Sequence, residues 1–273
     1  MIILTADDYA LTYGVSRAIE QLARAGRLSA TSAMVTMPDW QDSAARIRDL
    51  RGQVAVGLHL NLTVGAPAGP MPRLAPHGRF PDLRRLIVSA LAQRLSNDEI
   101  AAEIRRQLDQ FEHALGFQPD HVDGHQHVQI LPTIRRALLD ELQRRYGAAP
   151  PLVRNPPAKG HGKARIVNLL STGFGRAASR RGLPVNDAFA GFSSFDVRED
   201  YAVELDAALT VAGQRAIVMC HPGFPDATLA GLDPVVARRR QEYDVLMTDP
   251  TLPAKIWRPD RSANGGPIDW TAP

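Results

Sequence analysis

Short, continuously apolar runs alternate along the chain with longer segments whose apolar residues recur at helical spacing. The first run, 2–5, precedes a segment in which Val15, Ile19 and Leu22 share one helix face and Gly26 is placed to end the helix. Runs that are apolar on both faces are typical of buried parallel strands. The pattern predicts further strands at 29–37, 53–58, 121–123, 152–153 and 216–220.

Helical periodicity is strongest after Ser96, where Ser96 and Glu99 form a capping-box pattern and Gly116 follows the last apolar position. The same periodicity predicts helices from Pro132, and over 165–181, 201–212 and 235–247.

The alternation of strands and helices favours a parallel α/β fold. About seven β/α steps predict a (β/α) barrel, seven-stranded or otherwise irregular. We expect one domain over residues 1–273, with an irregular tail from about 259. No glycine-rich phosphate loop follows any strand, so a nucleotide-binding Rossmann fold has no support. Two loops rich in proline and glycine, 65–81 and 147–162, are expected to form the walls of a substrate groove.

Charge and composition change this picture little. The chain has 32 basic and 29 acidic residues, a formal charge of +3, and its longest basic run is 238–240, which we interpret as a solvated helix face. Nothing favours nucleic-acid binding. The single cysteine, Cys220, excludes an internal disulfide and is interpreted as a buried structural residue. No apolar run approaches the roughly 18 residues of a membrane span, so we expect a cytoplasmic protein.

Polar side chains capable of metal and proton chemistry follow several of the predicted strands. They are Asp7 and Asp8, His59, the group His121, Asp123, His125 and His127, and His221. Because the carboxyl ends of parallel strands carry the active site in barrels, these side chains are expected to meet at one rim. A divalent metal needs imidazoles, a carboxylate and an open position for water, and a second carboxylate and a histidine can then move protons.

Simpler interpretations exist for the individual residues. Asp7 and Asp8 could cap the following helix, and His59 alone could be a structural histidine. Neighbouring side chains on an extended strand also point in opposite directions. Both aspartates therefore reach one centre only if a turn beyond the strand end redirects one of them.

Four segments resemble the signatures of a known family. They are Thr5-Ala-Asp-Asp-Tyr, Gly57-Leu-His-Leu-Asn-Leu-Thr, His121-Val-Asp-Gly-His-Gln-His-Val and Met219-Cys-His-Pro-Gly. The sequence is similar to the YdjC-like carbohydrate deacetylases, which include chitooligosaccharide deacetylases and the deacetylases associated with hopanoid biosynthesis. The stretch from Asp244 also resembles the family's C-terminal helix. The resemblance implies a (β/α) barrel with a deacetylase site that uses one divalent metal ion, whether magnesium, zinc, cobalt or manganese.

Carried over by position, the resemblance implies that Asp8, His59 and His125 bind the metal. Asp7 corresponds to the general base and His221 to the general acid or to a stabiliser of developing charge. Weaker assignments, to substrate contact or to orientation of the ligands, fall on His127 and Asp123, and Arg154 is assigned as a substrate contact. The chain departs from the family pattern at Tyr9, Ala10, Gln126 and Gln129, which leaves its sugar specificity open.

The predicted reaction removes the N-acetyl group of an acetylated amino sugar or oligosaccharide to give a free amine and acetate. The resemblance makes a homodimer plausible, and no membrane span is expected. Two alternatives stay open. A non-catalytic sugar-binding or regulatory protein could share the fold, and two histidines with one carboxylate also describe non-haem iron enzymes.

Overall fold

The fold is built around one sheet of seven parallel strands. The computed structural model describes residues 1–157, 163–211, 213–260 and 265–270. The strands are β1 (Ile2–Tyr9), β2 (Ala30–Ala33), β3 (Ala55–Leu60), β4 (His121–Gly124), β5 (Leu152–Val153), β6 (Ala188–Ala190) and β7 (Ala216–Cys220). Their order across the sheet is β5-β4-β3-β2-β1-β7-β6.

Helices connect these strands and cover the sheet. They are α1 (Tyr13–Arg24), α2 (Trp40–Arg48), α3 (Leu83–Leu91), α4 (Asn97–Leu115), α5 (Ile134–Tyr146), α6 (Lys163–Leu170), α7 (Phe174–Ser179), α8 (Tyr201–Leu209), α9 (Ala227–Leu232), α10 (Ala237–Thr248) and α11 (Leu252–Lys255), with a 3₁₀ segment at His125–Ile130. Among them, no helix in the described ranges combines the length and apolar character that a bilayer crossing requires.

The two edges of the sheet approach each other. Val153 of β5 forms a parallel bridge with Val185, just before β6, and its backbone N–H donates to Pro184 O at 2.8 Å. The sheet is therefore curled into an incomplete barrel, which confirms the predicted seven-stranded, irregular (β/α) architecture. The sequence pattern overestimated some elements, since the strand predicted at 29–37 spans only Ala30–Ala33. Neither α2 nor α3 was predicted.

The strongest predicted helix, α4, buries its apolar stripe and begins and ends where expected. Ser96 Oγ accepts the Glu99 N–H, and Gly116 has φ 78°, a left-handed conformation that glycine adopts without steric cost. The capping box is only half formed, because the Glu99 carboxylate accepts the backbone N–H groups of Arg73 and Leu74 instead. α4 thereby holds the 65–81 loop against the outside of the barrel.

The inward-facing side chains change character along the strands. Near the amino ends they are apolar, with Ile3, Ala30 and Ile217 packed around Trp270, whose indole N–H donates to Asp120 O at 2.6 Å. Two or four residues further along each strand, the inward positions are polar. The barrel interior is thus a closed apolar floor beneath a polar carboxyl-terminal mouth.

Candidate active site

Asp7 and Asp8 lie inside β1 and do not follow it. The prediction that a turn beyond the strand end redirects one of them is therefore wrong. The reorientation occurs within the strand. The register between β1 and β2 shifts between Ala6 and Tyr9, and Asp8 has φ 68°. This bulge turns Asp8 to the same side as Asp7. Aspartate is one of the few residues that tolerate this left-handed conformation.

Three of the predicted residues form a compact donor cluster. Asp8 Oδ1 lies 3.2 Å from His59 Nε2 and 2.8 Å from His125 Nδ1, and all three side chains are buried. His59 projects from β3, and His125 opens the 3₁₀ segment after β4. Two imidazole nitrogens and one carboxylate oxygen beside an open cavity form a donor set that suits zinc and related divalent cations. The described residues therefore fit the predicted metal ion.

A carboxylate and a hydroxyl orient the His59 ring from behind. His59 Nδ1 lies 2.6 Å from Asp123 Oδ1 and 3.1 Å from Ser32 Oγ. Burial disfavours the charged imidazole, but Asp123 and the hydrogen bonds to Asp123 and Asp8 outweigh burial and raise the pKa of His59 to about 10. A hydrogen-bonded second nitrogen is typical of metal-binding histidines, because it fixes the ring orientation.

Arg154 connects Asp7 to Asp123. Its Nη1 lies 2.6 Å from Asp7 Oδ2, and its Nη2 lies 2.7 Å from Asp7 Oδ1 and 2.6 Å from Asp123 Oδ2. Asp7, Asp123 and His59 also form a second group with metal-like spacing, but the guanidinium already supplies the positive charge there. Arg154 and Asp123 are fully buried and do not line the cavity. Their contacts hold Asp7 and His59, which is the orienting alternative given for Asp123, and a substrate contact by either residue stays a prediction.

His221 follows β7, the strand that pairs with β1, and its ring lies next to Asp7. Its Nε2 lies 4.0 Å from Asp7 Oδ2. The backbone N–H of His221 donates to the buried Glu242 carboxylate, and the Phe195 ring packs edge-on against the imidazole with centroids 5.2 Å apart. The His221 side chain keeps 15% of its surface exposed against 4% for Asp7, so the imidazole is the more accessible of the two.

Asp7, Asp8, His59, His125 and His221 form the floor of a cavity of about 580 Å³. Its walls are mostly apolar and come from α3, α6 and the segment after β6, with Leu83, Ile87, Ile166, Val167, Leu170, Phe192 and Phe195. The 65–81 loop does not border the cavity, so its predicted role as a wall is wrong. The described part of the other loop, 147–157, does not border it either, and residues 158–162 lie outside the described residues.

His127 borders the cavity and has an aromatic environment. Its ring centroid lies 5.8 Å from that of Phe189 and 5.3 Å from that of Phe192. Burial, together with the nearby Arg154 charge, lowers the pKa of His127 to about 3. A neutral imidazole at the cavity wall is suited to a hydrogen bond with substrate, and that role stays a prediction.

Two other predicted features have clear outcomes. Cys220 is buried, and burial raises the pKa of its thiol, which agrees with a structural role. His121 belongs to neither donor group within the described residues. Its ring fills the barrel interior directly against Gly57, where a β-carbon would lie 2.4 Å from His121 Nε2.

The interpretation of 238–240 as a solvated helix face is wrong. One of these arginines, Arg239, belongs to the site, and the sequence pattern did not indicate it. Arg238 and Arg239 are 1% and 0% exposed, and of the three only Arg240 faces solvent. Arg239 Nη2 lies 2.6 Å from Asp8 Oδ2 and borders the cavity. No local signal distinguishes Arg239 from Arg240, because only the packing of α10 on the barrel decides which arginine is buried.

Comparison with known proteins places the chain in a family. The family model described as YdjC-like protein matches residues 1–256. The chain belongs to the YdjC-like protein family. It is 33% identical over 259 residues to a chitooligosaccharide deacetylase of Serratia marcescens, with 94% of each chain covered. It is also 31% identical over 254 residues to a human carbohydrate deacetylase, covering 84% of this chain and 77% of the relative.

A solved structure supports the fold. The crystal structure of a candidate cellobiose-phosphate cleavage protein from Enterococcus faecalis V583 matches with a TM-score of 0.73 and 20% sequence identity. The match covers 93% of this chain and 92% of that one. The curled seven-stranded sheet is therefore shared with this solved structure.

Proposed function

We propose that this protein is a metal-dependent N-deacetylase that hydrolyses the acetamido group of an N-acetylated amino sugar to a free amine and acetate. One observation carries the proposal: Asp8, His59 and His125 present three donor atoms within 4.8 Å of one another at the floor of a cavity. Relatives named carbohydrate and chitooligosaccharide deacetylases, at 30–33% identity, support the substrate class.

Asp8, His59 and His125 would hold the divalent cation. When bound, the cation supplies Lewis acidity, which polarises an amide carbonyl and makes a water molecule more acidic. The chain contributes an enclosed site whose three ligands come from β1, β3 and the segment after β4, with an opening toward the cavity. That opening leaves room for water and for the acetyl group.

Asp7 is assigned the role of general base. The two N–H groups from Arg154 fix both carboxylate oxygens, and each oxygen keeps a lone pair that can accept a proton. Asp7 would accept a proton from the attacking water while the oxygen of that water bonds to the carbonyl carbon. Removing this proton in the transition state is worth roughly 10²–10⁴-fold in rate.

His221 is assigned the role of general acid. Its Nε2 lies beside Asp7, 4.0 Å from Asp7 Oδ2. As the carbon–nitrogen bond breaks, His221 would donate a proton to the departing nitrogen, which leaves as the amine, while the carbonyl carbon leaves as acetate. His221 follows β7, which pairs with the β1 strand of Asp7, so the proposed acid and base lie side by side at the cavity that holds the donor cluster.

The test is a deacetylation screen with metal-stripped protein. N-Acetylated mono- and oligosaccharides are incubated without oxygen after reloading with zinc, cobalt, manganese or magnesium, and acetate and amine are quantified. We expect equal amounts of both products, and none from H125A. Sugar binding without acetate release would support the non-catalytic alternative, and turnover that requires iron and oxygen would support the non-haem iron alternative.

Four finer assignments accompany the proposal. We propose zinc, cobalt, manganese or magnesium as the metal, because a mixed imidazole–carboxylate set accepts each of them. We also propose a homodimer, which light scattering of the purified protein tests directly, and a cytoplasmic location, which fractionation of cells tests. His127 is proposed to contact the sugar.

A further inference from the structure

Arg239 contacts one carboxylate oxygen of Asp8, and the two histidines of the donor cluster contact the other. Asp8 Oδ1 faces His59 and His125, whereas Asp8 Oδ2 lies 2.6 Å from Arg239 Nη2. The two contacts together fix the plane of the carboxylate. Only Oδ1 is directed at the position where the cation would be held.

The guanidinium of Arg239 is itself held in place. Its Nε donates to Val235 O at 2.8 Å, and Asp233 Oδ1 lies 3.6 Å from its Nη2. The backbone of Gly223, two residues after His221, donates to Arg239 O at 3.0 Å. A β-carbon at Gly223 would lie 3.2 Å from Arg239 Cδ, so the turn after β7 packs directly on the arginine stem.

The same helix also supports a second part of the site. Glu242, one turn after Arg239 on α10, is 1% exposed and accepts the backbone N–H of His221. One helix thus contacts both Asp8, the carboxylate of the donor cluster, and His221, the proposed acid. α10 comes after His221 in the chain and lies outside the four motifs, so both contacts join residues far apart in sequence.

We propose that Arg239 is a positioning residue that fixes Asp8 as a one-oxygen ligand of the metal ion. The inference rests on the proposed function, because it takes Asp8 as a ligand. The positive charge of Arg239 and its positioning of Asp8 would change the affinity for the cation in opposite directions. A guanidinium beside a cation site weakens cation binding by repulsion, whereas an arginine that orients a ligand strengthens it.

The experiment compares R239Q with R240Q, a matched change at the next residue of the same helix. Arg240 is exposed and pairs with Asp244 at 2.9 Å. Metal-free proteins are titrated with Zn²⁺ in competition with a chromophoric chelator, and the visible spectrum of the Co²⁺ form reports its coordination. We expect R239Q to weaken Zn²⁺ binding about 10–100-fold and to change the Co²⁺ spectrum, because partners of ligating side chains typically contribute that much. R240Q should match the wild type in both.

R239K keeps the positive charge and changes the geometry of the contact with Asp8. It also tests the inference if R239Q fails to fold. Lysine keeps the charge but replaces the planar guanidinium, which contacts Val235 O and Asp8 Oδ2 through two separate nitrogens, with one nitrogen on a flexible stem. We therefore expect R239K to bind Zn²⁺ more weakly than the wild type. Wild-type affinity in R239K, or unchanged or tighter binding in R239Q, overturns the inference. Absence of stoichiometric metal binding by the wild type would instead overturn the proposed function, so the two failures are distinguishable.

Discussion

Arg154 binds both oxygens of Asp7 with two guanidinium nitrogens, at 2.6 and 2.7 Å, although the residues are 147 positions apart. The same guanidinium contacts Asp123, and the other carboxylate oxygen of Asp123 lies 2.6 Å from His59 Nδ1. The proposed base and one proposed ligand are therefore parts of one buried hydrogen-bonded network. Such networks are rigid when every member is satisfied, because an unpaired buried charge is costly.

Asp7→Asn should separate catalysis from metal binding. The substitution removes the proposed base but no member of the Asp8–His59–His125 cluster, so we expect turnover to fall roughly 10²–10⁴-fold while Zn²⁺ affinity stays within a few-fold. His125→Ala should lose both, because it removes a donor atom. Acetate release and chelator competition measure the two properties. Full activity in either variant would contradict the assignment.

Arg154→Met should act through Asp7 and not through substrate. Removing the guanidinium leaves Asp7 and Asp123 as buried carboxylates without their common partner, and breaking a buried ion pair typically costs about 3–5 kcal/mol. We expect a lower denaturation midpoint and a strongly reduced kcat with a smaller change in KM. R154M and D7N should be far from additive in kcat. A rise in KM alone would return Arg154 to the role of a substrate contact.

Metal binding should release a proton. In the metal-free protein the raised pKa of His59, about 10, keeps the imidazole protonated at neutral pH, and a metal ligand must be neutral. We therefore expect Zn²⁺ affinity to rise with pH and to level off near pH 10. Calorimetry in buffers of different ionisation enthalpy counts the protons released. Proton release that is unchanged in H59Q would show that His59 is not their source.

The same raised pKa makes the metal-free protein more stable at lower pH. The contribution of His59 is fully present below its ordinary pKa of 6.5, and it is lost as the pH rises through the folded value of about 10. H59Q should remove this part of the pH dependence. Urea denaturation of metal-free wild type and H59Q between pH 6 and 10 checks the sign.

Gly57→Ala should destabilise the barrel. A β-carbon at this position would lie 2.4 Å from His121 Nε2, inside a fully enclosed interior, and overpacking of this kind typically costs about 1–3 kcal/mol. G231A, in helix α9 with no atom within 4 Å of the added carbon, is the matched control and should be neutral or slightly stabilising. The double variant G57A/H121A should recover part of the loss in urea denaturation. No difference between G57A and G231A would contradict the packing argument.

Sequence reasoning worked where the relevant pattern is local. The apolar runs located most strands, and the polar residues at their ends included Asp8, His59 and His125, because the alternation of a parallel barrel places those ends together. The short elements α3 and β6 were missed, since they carry little periodicity of their own. The 65–81 loop looked like a groove wall, but Glu99 and Glu103 of α4 hold it elsewhere.

The sequence by itself determined the fold class and the strand ends near which the candidate donor residues lie. Only the tertiary structure decided how they are oriented. A backbone bulge in β1, which no residue pattern announces, turns Asp8 to the side of Asp7. The burial of Arg239 in place of its neighbour Arg240 depends on how α10 packs across the end of the barrel. Contacts between residues far apart in the chain depend on packing, and periodicity within one segment carries no information about them.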